Sequence, residues 1–587
     1  MDMLKNPITS ENYFSTHDGV ELFYRHWPAI GVRRGAIVMF HRGHEHSGRM
    51  AHLVEELALD DFDIFAWDAR GHGHSPGERG FSPSYGTSVR DVQTFIDHIQ
   101  ATHGIDQGDM VILAQSVGAV LVSTWAHDYA PQVRALVLAS PAFKVKLYVP
   151  FARPGLKLLQ KIRGNFFVNS YVKSKLLTHD PERQASFDND PLIARAISVN
   201  ILLGLYEAAE RIVADAAAIT LPTQLLISGS DWVVEQQPQI DFFNKLGSSV
   251  KEMHLLEGFY HDTLGEADRD QAVALIRQFI QRQFDEPAPV VDLTQADRQG
   301  YTFEESQQLS APLPKGSFKN WWWKRYRQGL HWSGMVSDGI ALGYRTGFDS
   351  GSSLDYVYRN QPGGIGFIGR LVDKNYLNAI GWRGIRQRKV NMEALLRQVR
   401  AKLREEGKPV KVLDIAAGHG RYVLDALTHE TDTSDSVLLR DYSDINVRDG
   451  GRLIEERGLS NWIRFEKGDA FNTESVANAQ PGTTLGIVSG LYELFPDNDM
   501  VRASLAGMAQ AIEEGGYLIY TGQPWHPQLE MIARALTSHR DGDAWVMRRR
   551  TQAEMDQLVR QAGFVKIEQR IDEWGIFTVS IARRKLV

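Results

Sequence analysis

The stretch Val111 to Val120, VILAQSVGAV, constrains the fold of this chain more than any other. A short apolar run ends at Ala114, Ser116 follows, and small or apolar residues resume at once. A buried parallel strand reads this way when it breaks sharply into a helix. Small residues at Ala114 and Gly118 suit such a break, because the turn is strained and strand and helix crowd it. The turn lifts the Ser116 hydroxyl above the sheet and aims the Val117 N–H at the same space. Taken alone, the stretch also fits an ordinary strand-to-helix turn, so its meaning depends on what surrounds it.

The surroundings read as alternating strands and helices. Residues 11 to 27 form short strands about a turn at His17-Asp18-Gly19. Ala36 to Phe40 and Ile64 to Trp67 are buried strands, Gly86 to Thr102 is helical, and Val133 to Ser140 is a further strand. That alternation predicts a mostly parallel α/β sheet. At 587 residues the chain exceeds a single core, so two or three domains are expected. The composition, 43% hydrophobic and 23% charged, is that of a soluble globular protein. A net charge of −7 argues against a general nucleic-acid binder. No cysteine is present, which removes disulfides, thiolate metal sites and a cysteine nucleophile. MDMLKNPITSENYF has no apolar core of a signal peptide, and no run is long enough to span a bilayer. The expectation is a cytoplasmic protein, with any membrane contact peripheral and at the inner face.

Three stretches occur in order: HRGHEHSGRM at 41–50, DARGHGHSPG at 68–77, and AQSVG at 114–118. Together they resemble the monoacylglycerol lipase and lysophospholipase branch of the α/β-hydrolase fold, over roughly residues 10 to 285. The resemblance implies that Gly43 and Val117 donate the oxyanion-hole N–H groups. The family usually has His-Gly where this chain has His41-Arg42, which bears on the shape of that loop. The triad then needs an acid and a base later in the chain, in the order Ser, Asp, His. Asp231 follows the apolar strand Leu225 to Ser228, and His261 follows Met253 to Leu256. His261 would take the Ser116 proton, with Asp231 holding its tautomer. Metal ligation by His41, His44, His46, His72 and His74 is not expected, since HEHS lacks the Asp-His that would follow in a metallo-hydrolase loop. An insertion at about 142–219, amphipathic around Leu156, Leu158, Leu159 and Ile162, would be the helical cap. The implied substrate is an acylglycerol or lysophospholipid-like ester. A peptidase or acyltransferase of the same fold stays open, because the triad is shared.

Residues 285 to 316 are polar, with Pro287, Pro289, Pro312 and Pro314, and read as a linker. Phe318 to Trp332 sets Trp321, Trp322, Trp323 and Tyr326 among lysines and arginines. We read it as a helix clamping two domains, aromatics buried and cations reaching out; an interfacial membrane helix is the alternative.

The second half, from 341, opens on Val410 to Tyr422, VKVLDIAAGHGRY, a strand running into a small-residue loop and then a helix. Further strands end at Asp441, Asp469 and Glu493, and an acid at the second strand end is where a ribose diol is held. VLDIAAGHG resembles the first motif of class I S-adenosylmethionine-dependent methyltransferases, with Ala416 where the family usually has its first glycine. The resemblance covers about 340–587 and implies a Rossmann-like domain that binds S-adenosylmethionine. It places Ala416, Gly418 and Gly420 in the cofactor loop, Asp414 by the methionine amino end, Asp441 by the ribose, and Asp469 and Ala470 by the adenine. A nicotinamide-binding domain would show G-x-G-x-x-G instead. The methyl acceptor is not readable beyond a small molecule or lipid; Tyr492, Glu493, Trp525 and His526 lie on loops expected to face it, and the Gly-, Tyr- and Arg-rich residues 355 to 389 suit a substrate cover. The pairing resembles bacterial bifunctional hydrolase–methyltransferase proteins: two doubly wound α/β domains, 1–284 and 341–587. A non-catalytic role for one half, in cofactor sensing or lipid docking, is the other reading.

Overall fold

The computed structural model describes residues 9–146, 152–170, 172–427, 434–540 and 542–585. It divides into two units after Val291. In the first, eight strands form one sheet. From one edge they are Ser10–Ser15, Glu21–Trp27, Phe62–Trp67, Gly35–Phe40, Met110–Gln115, Ala135–Ala139, Thr223–Ser228 and Lys251–Leu256. The first two pair antiparallel and the strands from Phe62–Trp67 onward run parallel. Gly35–Phe40, Phe62–Trp67 and Met110–Gln115 are buried along their whole length. Strands covered on both faces need continuous apolar runs, and these have them.

Helix Tyr85–His103 lies against this sheet, capped by Ser84 and closed by left-handed Gly104. Its Phe95 is fully buried, stacked on Phe14 at 4.8 Å and on Trp67 at 6.0 Å. Between Ala139 and Thr223 the chain makes helices Ala152–Arg163, Pro181–Asn189 and Val199–Ala214 and a short hairpin of Phe167–Asn169 with Ala196–Ser198. The expected cap lies here, apart from residues 147–151 and 171, which fall outside the described residues.

The second unit has a seven-stranded sheet in the order Ile463–Lys467, Ser436–Asp441, Lys411–Asp414, Thr483–Val488, Ile512–Gly522, Thr578–Arg584, Phe564–Ile571. The first five are parallel, and Thr578–Arg584 enters antiparallel to both of its neighbours. The order reverses between Lys411–Asp414 and Thr483–Val488. A crevice opens at such a switch point, above the C-terminal strand ends.

Two expectations about the join change. The polar stretch after Gly300 is not linker: Tyr301–Ser310 is a helix of the second unit, tied to it by the Arg549–Glu305 ion pair at 2.6 Å. Helix Phe318–Gly334 also belongs to the second unit, through Arg327 to the Arg534 carbonyl at 2.6 Å and Lys319 to Glu530 at 2.5 Å. None of its residues is buried, and Trp321 is 51% exposed. The aromatics therefore do not clamp a core. With this many cations on the helix, full burial would strand charge without partners. Among the described residues no helix is long and apolar enough to cross a membrane.

Phe95→Ala leaves a cavity between the sheet and helix Tyr85–His103. We expect the first unit to lose about 3–5 kcal/mol, read from its transition in denaturant unfolding.

Candidate active sites

Ser116 sits between strand Met110–Gln115 and helix Val117–Tyr129 with φ 54° and ψ −116°. A non-glycine residue holds such a backbone only where its surroundings impose it. Here the Ser116 N–H donates to the Ala139 carbonyl at 2.9 Å, and the Ser116 carbonyl accepts from Val120 and Ala142. Gly118 is needed for close approach: a Cβ there would lie 2.5 Å from the His41 carbonyl oxygen and 2.8 Å from that of Phe40.

Three loops then converge at the C-terminal sheet edge. Ser116 Oγ lies 2.7 Å from His261 Nε2, and His261 Nδ1 lies 2.7 Å from Asp231 Oδ2. The other Asp231 oxygen accepts from the N–H groups of Val233 and Val234 at 2.7 and 2.9 Å. Burial raises the Asp231 pKa, but the His261 ring and those two N–H groups outweigh it, and the net shift is downward. The His261 loop is held by Glu266, whose carboxylate accepts from the N–H groups of Tyr260, His179 and Ala267. No motif marked Glu266; its role follows from where the chain returns in space.

Gly43 lies directly against Val117, since a Cβ on it would meet Val117 Cγ2 at 3.2 Å. The two expected oxyanion donors are thus neighbours. His41 Nε2 accepts from the Ala69 N–H at 3.1 Å, so Nδ1 carries the proton and donates to the Arg42 carbonyl at 2.7 Å. In a planar trans peptide the Gly43 N–H points opposite to that carbonyl. His41 therefore sets its direction.

Arg42 does not fill the site. It is buried beneath the loop, with Nη2 2.7 Å from Glu45, Nε 3.7 Å from Asp262, and its guanidinium 5.0 Å from the Phe187 ring centre. Asp262 also accepts from Arg183 at 2.9 Å and Gln115 at 3.1 Å. Burial raises its pKa, but Arg183 and Arg42 hold it well below the usual carboxylate range. The larger side chain adds an ion-paired floor under the loop. The other loop histidines are committed locally: His46 to Asp190 at 2.9 Å, His72 to the Arg70 carbonyl at 2.8 Å, and His44 to the Ala194 carbonyl.

In the second unit a cavity of about 590 Å³ opens at the sheet's switch point, within the ~300–1,000 Å³ usual for small-molecule sites. Ala416, Gly418, Gly420, Asp441, Asp469 and Ala470 all line it. Gly418 and Gly420 have φ of 58° and 69°, and a Cβ on Gly420 would meet Leu439 Cδ1 at 2.4 Å. Asp441 accepts from the Gly418 N–H at 2.9 Å, and from Ser443 N–H and Asn446 Nδ2 at 2.9 and 3.0 Å. It braces the loop as well as facing the cavity. A side-chain-free loop, a carboxylate at the second strand end and the Asp469-Ala470-Phe471 corner fit a nucleoside bearing a charged tail.

Asp414 is placed differently from the expectation. It is fully buried under the loop, accepting from the Ala416 N–H at 3.1 Å and from the Tyr422 hydroxyl, and it is not among the lining residues. Burial pushes its carboxyl up to about 7. A strand-end carboxylate can serve the loop from below or a ligand from above, and spacing alone does not distinguish them. Ser350, Asp355 and Tyr358, at the cap and along helix Gly351–Arg359, close the cavity on another side, with Arg388 from the long helix Ile380–Glu405. Of the loop residues expected to face an acceptor, Tyr492 is turned into the core, its hydroxyl 3.0 Å from Ser504, and Trp525 packs against the apolar cluster around Trp382 and Phe577. Glu493 and His526 line a second cavity beside the first.

Gly118→Ala forces the elbow away from the His41 carbonyl. A displacement of that size costs about 10²-fold in turnover, and we expect that loss in ester hydrolysis assays with the fold retained by circular dichroism.

Comparison with known proteins places both halves. The family described as "Putative methyltransferase" matches residues 276–584, and the family described as "Serine aminopeptidase, S33" matches 31–268. An Escherichia coli K12 protein described as "Uncharacterized protein YnbC" is 59% identical over 586 residues, 99% of this chain and all of that one. The human monoglyceride lipase is 28% identical over 248 residues, 42% of this chain and 80% of its own length. The crystal structure of a Paleococcus ferrophilus monoacylglycerol lipase aligns with TM-score 0.41 and 24% identity, over 45% of this chain and 99% of that one. The chain belongs to the "Putative methyltransferase" family, and its N-terminal half is an α/β-hydrolase related to the monoglyceride lipases.

Proposed function

We propose that the protein joins two enzymes: a serine ester hydrolase acting on an acylglycerol or lysophospholipid-like substrate, and a methyltransferase using S-adenosylmethionine. The hydrolase reading rests on the continuous hydrogen-bonded line from Ser116 through His261 to Asp231, at 2.7 Å and 2.7 Å. Ser116 Oγ attacks the ester carbonyl as its proton passes to His261 Nε2. The Gly43 and Val117 N–H groups receive the oxyanion. His261 then protonates the leaving alkoxide, and water, deprotonated by His261, releases the acid. Asp231 keeps the imidazole in register and stabilises its charged form. The relatedness to monoglyceride lipases is what favours an acyl ester over a peptide bond.

In the second unit, Ala416 to Gly420 would cradle the cofactor, Asp441 would accept from its ribose hydroxyls, and Asp469 and Ala470 would border its adenine. When bound, S-adenosylmethionine supplies an electrophilic methyl group on a sulfonium. Its acceptor would be a small molecule or lipid.

Ser116→Ala should lower hydrolysis of p-nitrophenyl butyrate by about 10⁴-fold or more. Unchanged turnover would overturn the hydrolase assignment. For the other half, titration calorimetry should show S-adenosylmethionine binding that Asp441→Asn weakens by about 10- to 100-fold. Absence of heat in folded wild-type protein would overturn the methyltransferase assignment.

A further inference from the structure

Next to the cofactor cavity of the second unit lies another, of about 410 Å³. Asp349, Leu354, Arg388, Gly490 and Leu494 line both, so the two share a wall. The second is walled by apolar side chains, among them Trp382, Ile385, Ile532, Trp545 and Phe577. Its polar side chains include Asp349 and Arg388 on the shared wall, Glu493 three residues after Gly490, and Gln523 and His526 from a separate loop.

Those polar groups are incompletely satisfied. Among the described residues, Glu493 Oε2, Gln523 Nε2, Trp545 Nε1 and Arg388 Nε are buried and have no hydrogen-bond partner. A buried polar atom left unpaired is destabilising, so four on one cavity point to a ligand that pairs them. Glu493 is held in one orientation. The Gly490 N–H donates to Thr521 Oγ1 at 2.8 Å, and the Thr521 hydroxyl must then donate to Glu493 Oε1, also 2.8 Å away. Arg388 Nη1 stands 3.7 Å from the same Oε1. Oε2 is the oxygen with no hydrogen bond among the described residues. His526 Nδ1 accepts from the Gln528 N–H at 3.0 Å, and burial pushes this histidine down to about 4, so the ring is neutral with its proton on Nε2. Asp349, the other carboxylate on the wall, is taken up by the Ser538 hydroxyl and the His539 N–H, both at 2.6 Å, so the cavity offers the unpaired Glu493 oxygen beside N–H donors.

Resting on the methyltransferase reading above, we propose that this second cavity binds the methyl acceptor, an alcohol or phenol with an apolar body, and that Glu493 is the general base for its O-methylation. A hydroxyl both donates and accepts, which matches one acceptor beside several donors. A carboxylate would add a third negative charge beside Glu493 and Asp349, against the Arg388 cation already drawn to Glu493, and an ammonium would leave the Gln523 and Trp545 N–H groups unpaired. In the transfer the acceptor oxygen forms a bond to the methyl carbon as the carbon–sulfur bond breaks. The bonding pair goes to sulfur, which changes from sulfonium to neutral thioether. The hydroxyl proton goes to Glu493 Oε2 and from there to water.

The test uses the full chain with 4-hexylphenol as probe and S-adenosylhomocysteine as cofactor product. Calorimetry should show 4-hexylphenol binding, weakened by about tenfold or more in Ala379→Phe, which places a ring in the cavity, and for 4-hexylbenzoate in the wild type. S-Adenosylhomocysteine should bind both proteins alike. Glu493→Gln keeps the shape and should bind both ligands within about threefold of wild type, while methyl transfer to 4-hexylphenol falls by about 10²–10⁴-fold. No phenol binding, equal binding by Ala379→Phe, or equal binding of the benzoate would overturn the acceptor assignment. Undiminished transfer by Glu493→Gln would overturn the base. Failure of wild type to bind S-adenosylhomocysteine would instead count against the cofactor reading, and the phenol titration would still decide the cavity.

Discussion

A serine held at positive φ at the end of a buried strand governs the first half of the molecule. Such a backbone costs about 1–3 kcal/mol, and hydrogen bonds to Ala139, Val120 and Ala142 keep it in place. Because the strand is covered on both faces, its C-terminal end is where a side chain can reach a substrate. Gly118 must lack a side chain for the following helix to pass the Phe40 and His41 carbonyls. Those carbonyls belong to the loop that carries Gly43. The constraint that strains Ser116 therefore also sets the Gly43 loop against Val117.

The second half applies the same constraint to a different ligand. Lys411–Asp414 ends in a loop of small residues, and the strand order reverses beside it. Asp441, from the neighbouring strand, holds Gly418 through its N–H, so one carboxylate braces the loop and borders the cavity. Asp414 stays below, paired with Tyr422, and carries a raised pKa because burial disfavours its charge. The two acids stand on adjacent strands yet face different surroundings.

Both folds and most of the first candidate site were legible as order along the chain. Ser116, Asp231 and His261 follow strand ends in a fixed sequence, and strand ends are marked by apolar runs that stop. Arg42 was visible only as a departure from a pattern. Its burial against Glu45 and Asp262 depends on partners that lie up to 220 residues away in sequence. The aromatic run at 321–323 misled for a related reason. Tryptophans beside lysines suit a buried clamp or an exposed face equally, and what packs against the helix decides.

The sequence by itself determined where strands stop, which candidate residues stand at those ends, and that two such candidate centres exist. These are local properties, set by apolar periodicity, small residues and chain order. The tertiary structure decided which oxygen of Glu493 is free, which way the Gly43 N–H points, and that Asp414 serves the loop from beneath. It also decided that two cavities in the second unit share a wall at Gly490 and Arg388. Hydrogen-bond partners and burial come from segments far apart in the chain, and no spacing encodes them.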